Sequence, residues 1–228
     1  YRVLAKLVRG DEILAESSET ILTLAPVEWT EESKTIEWVG SAPELPFSSA
    51  TRTENQSRLM LVAQPASLSE AEWNVLLNEV EQGRVAIIGA LHKRDERARL
   101  ALANRGVKIE LHHGIGSWMG CYHWIPRSDL FADLPANGLA GEPYIEVLPW
   151  YALSEQGGEI LAGLISNTQT RLTAASILWF SDIEAVPFGQ GTMIFCQYRI
   201  FDKLKTNPLA ARLAFNLIQQ AHIYSSDQ

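Results

Sequence analysis

The pattern of apolar and polar residues changes along the chain and separates two kinds of structure. In residues 1–24 apolar positions alternate with polar ones, with Val3, Ala5 and Leu7 on one face, and Gly10 provides a turn. Alternation with a period of two predicts a β-hairpin. Two strands alone do not bury an apolar face. The hairpin therefore either pairs with the rest of this chain or is the last part of a β-sandwich whose other strands lie upstream, and we expect the second.

A different pattern begins after residues 26–56, a segment rich in Pro, Ser and Thr that is typical of a linker with one short strand near residues 35–39. Beyond it, continuous apolar runs of strand length alternate with segments that repeat at helical spacing. Ser69 followed by Glu72 is the signature of a capping box at a helix start. The pattern predicts strands over residues 58–63, 85–89 and 107–111, and helices over residues 69–83 and 95–104.

Strands that are apolar along their whole length are typical of parallel sheets buried under helices. Right-handed crossovers place such helices on both faces of the sheet. The order strand, helix, strand, helix, strand therefore predicts a doubly wound α/β fold of the flavodoxin-like class. The C-terminal part adds a closing hairpin from the runs 176–180 and 192–200, with Asp182 and Glu184 in its polar turn, and a helix that begins at Pro208.

The composition excludes several classes of partner. The chain has 19 Lys and Arg against 27 Asp and Glu, a formal charge of -8, so it has no broad basic face to neutralise phosphates. Nucleic acid and membranes are therefore not expected partners, and no apolar run approaches the roughly 20 residues that span a bilayer. Only Cys121 and Cys196 are present, and we expect both to be free thiols. The sequence does not indicate a compartment.

Ligand sites in doubly wound folds lie at the carboxyl ends of the strands, which places them in the loops after Ala63, Gly89 and Leu111. The turn formed by Gly89, Ala90 and Leu91 holds the position of a nucleophile elbow. Neither Ala90 nor Leu91 carries a nucleophile, so the elbow is degenerate and no catalytic residue is predicted. The sequence also lacks a dinucleotide fingerprint and a phosphate loop, and no cofactor is expected.

An irregular segment rich in Gly and aromatic residues, GSWMGCYHW, carries the remaining candidate chemistry. Aromatic rings with polar edges pack on the apolar faces of sugars, while histidines bind hydroxyl groups, and this composition favours carbohydrate contact. The residues expected to make it are Trp118, Tyr122, His123, Trp124, His112 and His113.

An alternative interpretation uses the same segment for catalysis. A thiolate activated by histidine, or a zinc ion bound by one thiolate and three imidazoles, would make the chain an independent cysteine-dependent or zinc-dependent hydrolase. Its residues would be His112, His113, Cys121 and His123. Their spacing matches no standard zinc site, so no metal site is predicted, and Cys121 among Trp and Tyr residues is typical of a small buried side chain.

Several segments resemble one family. RLMLVAQPASLSEAEWNVLLNEVEQGRVAIIGAL, SDLFADLPANGLAGEPYIEVLPW and FGQGTMIFCQYRIFDKLKTNPLAARLAFNLIQ resemble the class I glutamine amidotransferase-like domains attached to large glycoside hydrolases. YRVLAKLVRGDEILAESSETI is similar to the final hairpin of the immunoglobulin-like sandwich in β-galactosidase-like proteins of glycoside hydrolase family 2. Active amidotransferases carry GxCxG at the elbow, and this chain departs from that motif, which removes glutaminase activity from what the resemblance implies.

The resemblance implies a domain organisation and a role. Residues 1–25 would be the terminal hairpin of an immunoglobulin-like β-sandwich, residues 26–56 a linker, and residues 57–228 an amidotransferase-like α/β domain. The chain would be a non-catalytic accessory domain of a multidomain glycoside hydrolase that acts on β-glycosides. It would serve packing, oligomerisation or the rim of the substrate cleft. The partners implied are the other domains of that enzyme, carbohydrate and further copies of the chain, with the hydrolytic carboxylates on a TIM barrel encoded upstream.

Overall fold

The computed structural model describes residues 2–10, 12–20, 24–29, 36–41, 58–113, 121–167 and 177–226. Within these residues the chain is a mixed α/β protein with a mainly sheet core and three α-helices. The strands are β1 (Arg2–Arg9), β2 (Glu12–Thr20), β3 (Glu37–Trp38), β4 (Leu59–Val62), β5 (Val85–Ile88), β6 (Leu111–His113), β7 (Cys121–Ile125), β8 (Gly138–Leu139), β9 (Tyr151–Leu153), β10 (Glu159–Asn167), β11 (Ile177–Phe188) and β12 (Gly191–Cys196). The helices are α1 (Glu70–Glu81), α2 (Glu96–Ala103) and α3 (Pro208–Ser226).

The main sheet joins a parallel half to an antiparallel half. Its strands follow the order β3, β4, β5, β12, β11, β10, β7, β8, and β9 pairs with both β11 and β6. Strands β3, β4, β5 and β12 are mutually parallel, whereas every pairing beyond β12 is antiparallel. The short strand predicted near residues 35–39 is β3, at the edge of the parallel half.

The start of α1 follows the predicted capping box. The Ser69 hydroxyl accepts a hydrogen bond from the backbone N–H of Glu72, and the Glu72 carboxylate accepts one from the Ser69 N–H. The helix then buries one face, formed by Trp73, Leu76, Leu77 and Val80. The following residue Gly83 has φ of +111°, a value that glycine adopts without steric strain. None of the described helices is both long and apolar enough to cross a membrane.

The sheet separates two hydrophobic clusters. Ile194, Cys196 and Tyr198 pack with α3 on one side, whereas Met193 and Phe195 pack with α1 and α2 on the other. Side chains alternate between the two faces along a strand, so β12 contributes to both clusters. Cys196 is fully buried and both cysteines are free, as predicted, and burial raises the pKa of the Cys196 thiol to about 12.

The prediction of a third parallel strand over residues 107–111 is wrong. The strand begins only at Leu111 and pairs antiparallel with β9. The place beside β5 belongs to β12, which comes from much later in the chain. The physical reason is burial. All six residues of β12 are buried, whereas in residues 107–111 the buried Val107 and Ile109 alternate with the exposed Lys108 and Glu110. A segment with one exposed face does not fit a position that is covered on both faces.

The placement of Asp182 and Glu184 in a polar turn is also wrong. The predicted hairpin between β11 and β12 exists, but β11 extends over residues 177–188 and includes both acids. Each is fully buried. Glu184 tolerates this position because its carboxylate accepts hydrogen bonds from the Gln156 and Gly158 N–H groups and from the Ser181 hydroxyl.

Strands β1 and β2 form the predicted hairpin, as a two-stranded antiparallel sheet separate from the main one. Large apolar side chains are exposed on both of its faces, with exposed fractions of 46% to 63%. They are Val3, Leu4, Leu7, Val8, Ile13 and Leu14. A separate two-stranded hairpin with exposed apolar residues on both faces is typical of a structure that packs against other protein surfaces.

This geometry predicts that the hairpin does not stabilise the α/β unit. Replacing Leu4 and Leu7 together by Ser is expected to change the thermal midpoint by less than about 2 °C, because substitutions of exposed residues alter stability by roughly 0.5 kcal/mol or less. Leu61→Ser, in the fully buried β4, is the matched control and should lower stability by about 3 kcal/mol or more. A loss from the hairpin variant comparable to that of the control, measured by circular dichroism melting, would contradict the prediction.

Candidate functional site

The carboxyl ends of β4, β5 and β12 meet at one edge of the sheet, because the three strands are parallel neighbours. The segments that follow them enclose two adjoining hollows of about 290 Å³ and 170 Å³. The hollows share Ala90, His92, Arg199 and Asp202, and we name them together the carboxyl-edge cleft. The predicted loops after Ala63 and Gly89 line this cleft, as expected for an α/β sheet; the segment after β6 lies outside the described residues.

The degenerate elbow, formed by Gly89, Ala90 and Leu91, lies beside this cleft. Gly89 is required by close packing, since a Cβ atom there would lie 2.7 Å from the Ala63 carbonyl oxygen. Ala90 lines both hollows, whereas Leu91 is buried. The backbone thus has a close-packed turn after β5, but a methyl and an isobutyl group occupy the positions where a nucleophile would be needed.

Charged residues of both signs line the cleft. Arg199 is held in place by its Nε atom, which donates to the Leu148 carbonyl at 2.8 Å. Its guanidinium carbon lies 4.8 Å from the centre of the Trp150 ring, within the range of a cation–π contact. Partial burial lowers the pKa of Arg199, while the charges of Asp202 and Glu146 oppose that shift.

Trp150 and Tyr151 form an aromatic wall beside the smaller hollow. The His92 ring meets both edge-on, with centroid distances of 6.2 Å and 4.9 Å. Trp150 is 51% exposed. Sequence reasoning concentrated on the aromatic residues of 116–124 and missed this wall; the available signal was the adjacent aromatic pair that follows Leu148 and Pro149.

Gln197 lies in the wall of the smaller hollow, directly after β12. It is only 1% exposed, and its Oε1 accepts a hydrogen bond from the Leu91 N–H at 3.2 Å. Its Nε2 is buried and has no hydrogen-bond partner among the residues that the structure describes. Buried donors without partners are rare in proteins and call for a specific explanation. The sequence signal was a single amide within an otherwise apolar and aromatic run.

The predicted carbohydrate residues of β7 point to opposite faces of the sheet, because side chains alternate along a strand. Tyr122 is 57% exposed, whereas His123 is buried on the other face. Trp124 is half-buried over Gly163, where a Cβ atom would lie 2.6 Å from its Nε1. Trp118 lies outside the described residues.

The two predicted histidines of β6 make separate contacts. The His112 ring stacks on Phe180 with centroids 4.0 Å apart, and its Nε2 lies 2.9 Å from the Ser154 hydroxyl. Burial lowers the pKa of His112. His113 is exposed and packs against Tyr151 at 5.0 Å. The six predicted residues therefore do not share one surface.

The buried His123 forms an ion pair with an acid on β11. Its Nδ1 lies 2.7 Å from Asp182 Oδ2, and both side chains are buried. Burial raises the pKa of Asp182, and the hydrogen bond and charge of His123 oppose that shift. The other oxygen, Oδ1, is buried, and none of the described residues forms a hydrogen bond with it.

The alternative cluster of His112, His113, Cys121 and His123 is not assembled as a metal site. Cys121 Sγ lies 3.5 Å from the Ser166 hydroxyl rather than against an imidazole ring, and His123 is engaged by Asp182. Among the residues that the structure describes, no group of three or more His, Cys, Asp or Glu side chains is arranged to hold a metal ion. The geometry does not favour the hydrolase interpretation.

No family model matches the chain, and no curated protein matches its sequence. Among solved structures, the chain is similar to a β-galactosidase from Rahnella sp. R3, with 10% identity and a TM-score of 0.42 over 72% of this chain and 23% of that chain. It is similar to the exo-β-1,4-mannosidase Op5Man5 from Opitutaceae bacterium strain TAV5, with 12% identity and a TM-score of 0.40 over 72% and 25%. A β-galactosidase from Bacillus circulans sp. alkalophilus gives 11% identity and a TM-score of 0.36 over 68% and 22%. The chain spans about a quarter of the length of each of these proteins.

The buried ion pair yields a stability prediction. His123→Leu is expected to cost about 3 kcal/mol or more, because it leaves the Asp182 carboxylate buried without its hydrogen-bond partner. The double variant with Asp182→Leu should be more stable than this single variant, since replacing both partners by apolar groups removes the unpaired charge. Urea unfolding of the single and double variants at pH 7 measures both values.

The same pair predicts how the loss depends on pH. Because burial raises the pKa of folded Asp182 above its unfolded value, folding takes up a proton as the pH falls towards 4. The penalty of His123→Leu is therefore expected to shrink between pH 7 and pH 4. A penalty that stays constant or grows over this interval would contradict the assignment of Asp182 as the unpaired group.

Proposed function

We propose that the chain is the non-catalytic accessory part of a multidomain glycoside hydrolase that acts on β-glycosides. In this proposal residues 57–228 are a class I glutamine amidotransferase-like domain of the flavodoxin-like class. Residues 26–56 are a linker, and residues 1–25 are the final hairpin of an immunoglobulin-like sandwich of the family 2 type. The resemblance of four sequence segments to these parts supports the division.

The observation that carries the proposal is the apolar surface of the β1–β2 hairpin. Six large apolar side chains are exposed on its two faces, and the hairpin belongs to a sheet of its own. Exposed apolar surface of this kind marks a contact with another protein body. A second sheet of a sandwich would cover one face, and a neighbouring domain of the same enzyme would cover the other, which makes the domains of that enzyme the first partners.

A second surface supports an accessory role at the rim of a substrate cleft or between copies. Ile165 of β10 pairs with Tyr122 on one side and with Trp179 on the other. Directly paired residues point to the same face of a sheet, so the three side chains form one row. Tyr122 and Trp179 are each 57% exposed. Of the residues predicted for sugar contact, Tyr122 is the one on this row, which fits carbohydrate or a second copy of the chain.

The elbow supports the absence of catalysis. Gly89 keeps the close-packed turn of an amidotransferase elbow, yet Ala90 and Leu91 supply no group that attacks a carbonyl. The acidic side chains of the cleft, Asp95 and Asp202, are the remaining candidates for acid or base chemistry there.

An activity measurement tests the proposal. The purified chain is expected to release no nitrophenol from aryl β-galactosides or aryl β-mannosides and no ammonia from glutamine. Asp95→Asn and Asp202→Asn are the matched controls. Activity that comes from a contaminating enzyme would persist in both variants, because the substitutions change only this chain. Turnover by the unsubstituted chain that either substitution abolishes would overturn the non-catalytic assignment.

A further inference from the structure

We infer that the carboxyl-edge cleft binds a small, neutral, polyhydroxylated molecule of about the size of one sugar ring, and that the Gln197 side chain donates a hydrogen bond to it. This site is separate from the row of Tyr122, Ile165 and Trp179. It therefore does not depend on the accessory role proposed above.

The first observation is the orientation of the Gln197 amide. The Leu91 N–H donates to Oε1, and this bond fixes which end of the amide is the oxygen. The opposite end, Nε2, is then a buried donor that has no partner in the described part of the chain, on a residue that lines the smaller hollow. An acceptor oxygen in that hollow supplies the missing partner, because an amide NH₂ group has two protons to donate.

The second observation is the balance of charge around the cleft. Arg199 and Lys203 contribute two positive charges, and Asp95 and Asp202 contribute two negative ones. Lys203 also faces the Glu146 carboxylate at 3.8 Å. The formal charges of the cleft therefore cancel, which removes the attraction that a phosphate or carboxylate ligand needs. A hydroxyl group both donates and accepts, so one polyol satisfies the Gln197 amide and an aspartate together.

The third observation is the aromatic wall. Trp150 is half exposed beside the smaller hollow, with Tyr151 and His92 next to it. Arg199 lies over the Trp150 ring. A positive charge and an apolar aromatic surface are therefore next to each other in this wall. Carbon-bound hydrogens of a sugar ring pack against the aromatic surface that Arg199 does not cover, while its hydroxyl groups face the charged residues. The two hollows have volumes of about 290 Å³ and 170 Å³. Pockets for drug-sized ligands have volumes of roughly 300–1,000 Å³. The smaller volumes here favour a single sugar ring over an oligosaccharide.

The test is isothermal titration of the complete chain with D-galactose, D-mannose, myo-inositol and, separately, inorganic phosphate. We expect saturable binding of at least one of the three neutral polyols and weaker or no binding of phosphate. Gln197→Leu should weaken the polyol by about tenfold, the loss that corresponds to one hydrogen bond. Gln190→Leu, an exposed glutamine at the opposite end of β12, is the matched control and should leave binding unchanged.

A second variant keeps the test decisive if Gln197→Leu does not fold. Trp150→Ala removes an exposed ring of the wall, and we expect it to weaken the polyol while the melting temperature stays near that of the unsubstituted chain. The inference is overturned if none of the three polyols binds, if phosphate binds more tightly than all of them, or if binding survives both the Gln197 and the Trp150 substitutions. None of these results bears on the hairpin or the elbow, so they leave the accessory role standing.

Discussion

Strand β12 determines the arrangement of the sheet, because all six of its residues are buried and both of its edges are paired. Its parallel contact with β5 continues into β4, and its antiparallel contact with β11 continues into β10 and β7. The strand enters beside α1 at Gly191, where a Cβ atom would lie 2.2 Å from the Val80 and Arg84 carbonyl oxygens. Glycine is therefore the residue that allows the hairpin to close onto the helix.

This constraint places the polar groups of the cleft. Because β12 runs parallel to β5 and β4, its carboxyl end meets theirs, and Gln197 and Arg199 follow directly. Arg199 packs on Trp150, so the segment before β9 joins the same edge. The opposite, antiparallel half carries the exposed row of Tyr122 and Trp179 instead. Strand β12 thus lies between the carboxyl-edge cleft on the parallel half and the exposed aromatic row on the antiparallel half.

Much of the local structure could be predicted from the sequence. The capping box of Ser69, the strands β4 and β5, the hairpin of β1 and β2, and the turn at Gly89 all depend on residues close together in the chain. The position of β12 could not be predicted, because an apolar run shows that a strand is buried and does not show which strand it pairs with. Residues 107–111 were also predicted as a buried strand, yet Lys108 and Glu110 are exposed and the strand begins only at Leu111.

The positions of the buried polar residues could not be predicted from the sequence either. Asp182 and Glu184 indicate a turn by composition, yet hydrogen bonds from distant residues stabilise them inside β11. Such partners come from across the sheet and leave no periodic signal. The same holds for Gln197, whose side-chain oxygen accepts a hydrogen bond from the distant Leu91 N–H. Long-range hydrogen bonding, rather than hydrophobic pattern, sets where this chain keeps its polar chemistry.

Native-state hydrogen exchange tests most directly whether β12 joins the two halves of the sheet into one cooperative unit. The slowest amides of β5, in the parallel half, and of β10, in the antiparallel half, are expected to open with free energies that agree within about 1 kcal/mol. A β10 that opens several kcal/mol more readily than β5, through an unfolding step that leaves β5 and β12 protected, would contradict the role given to β12.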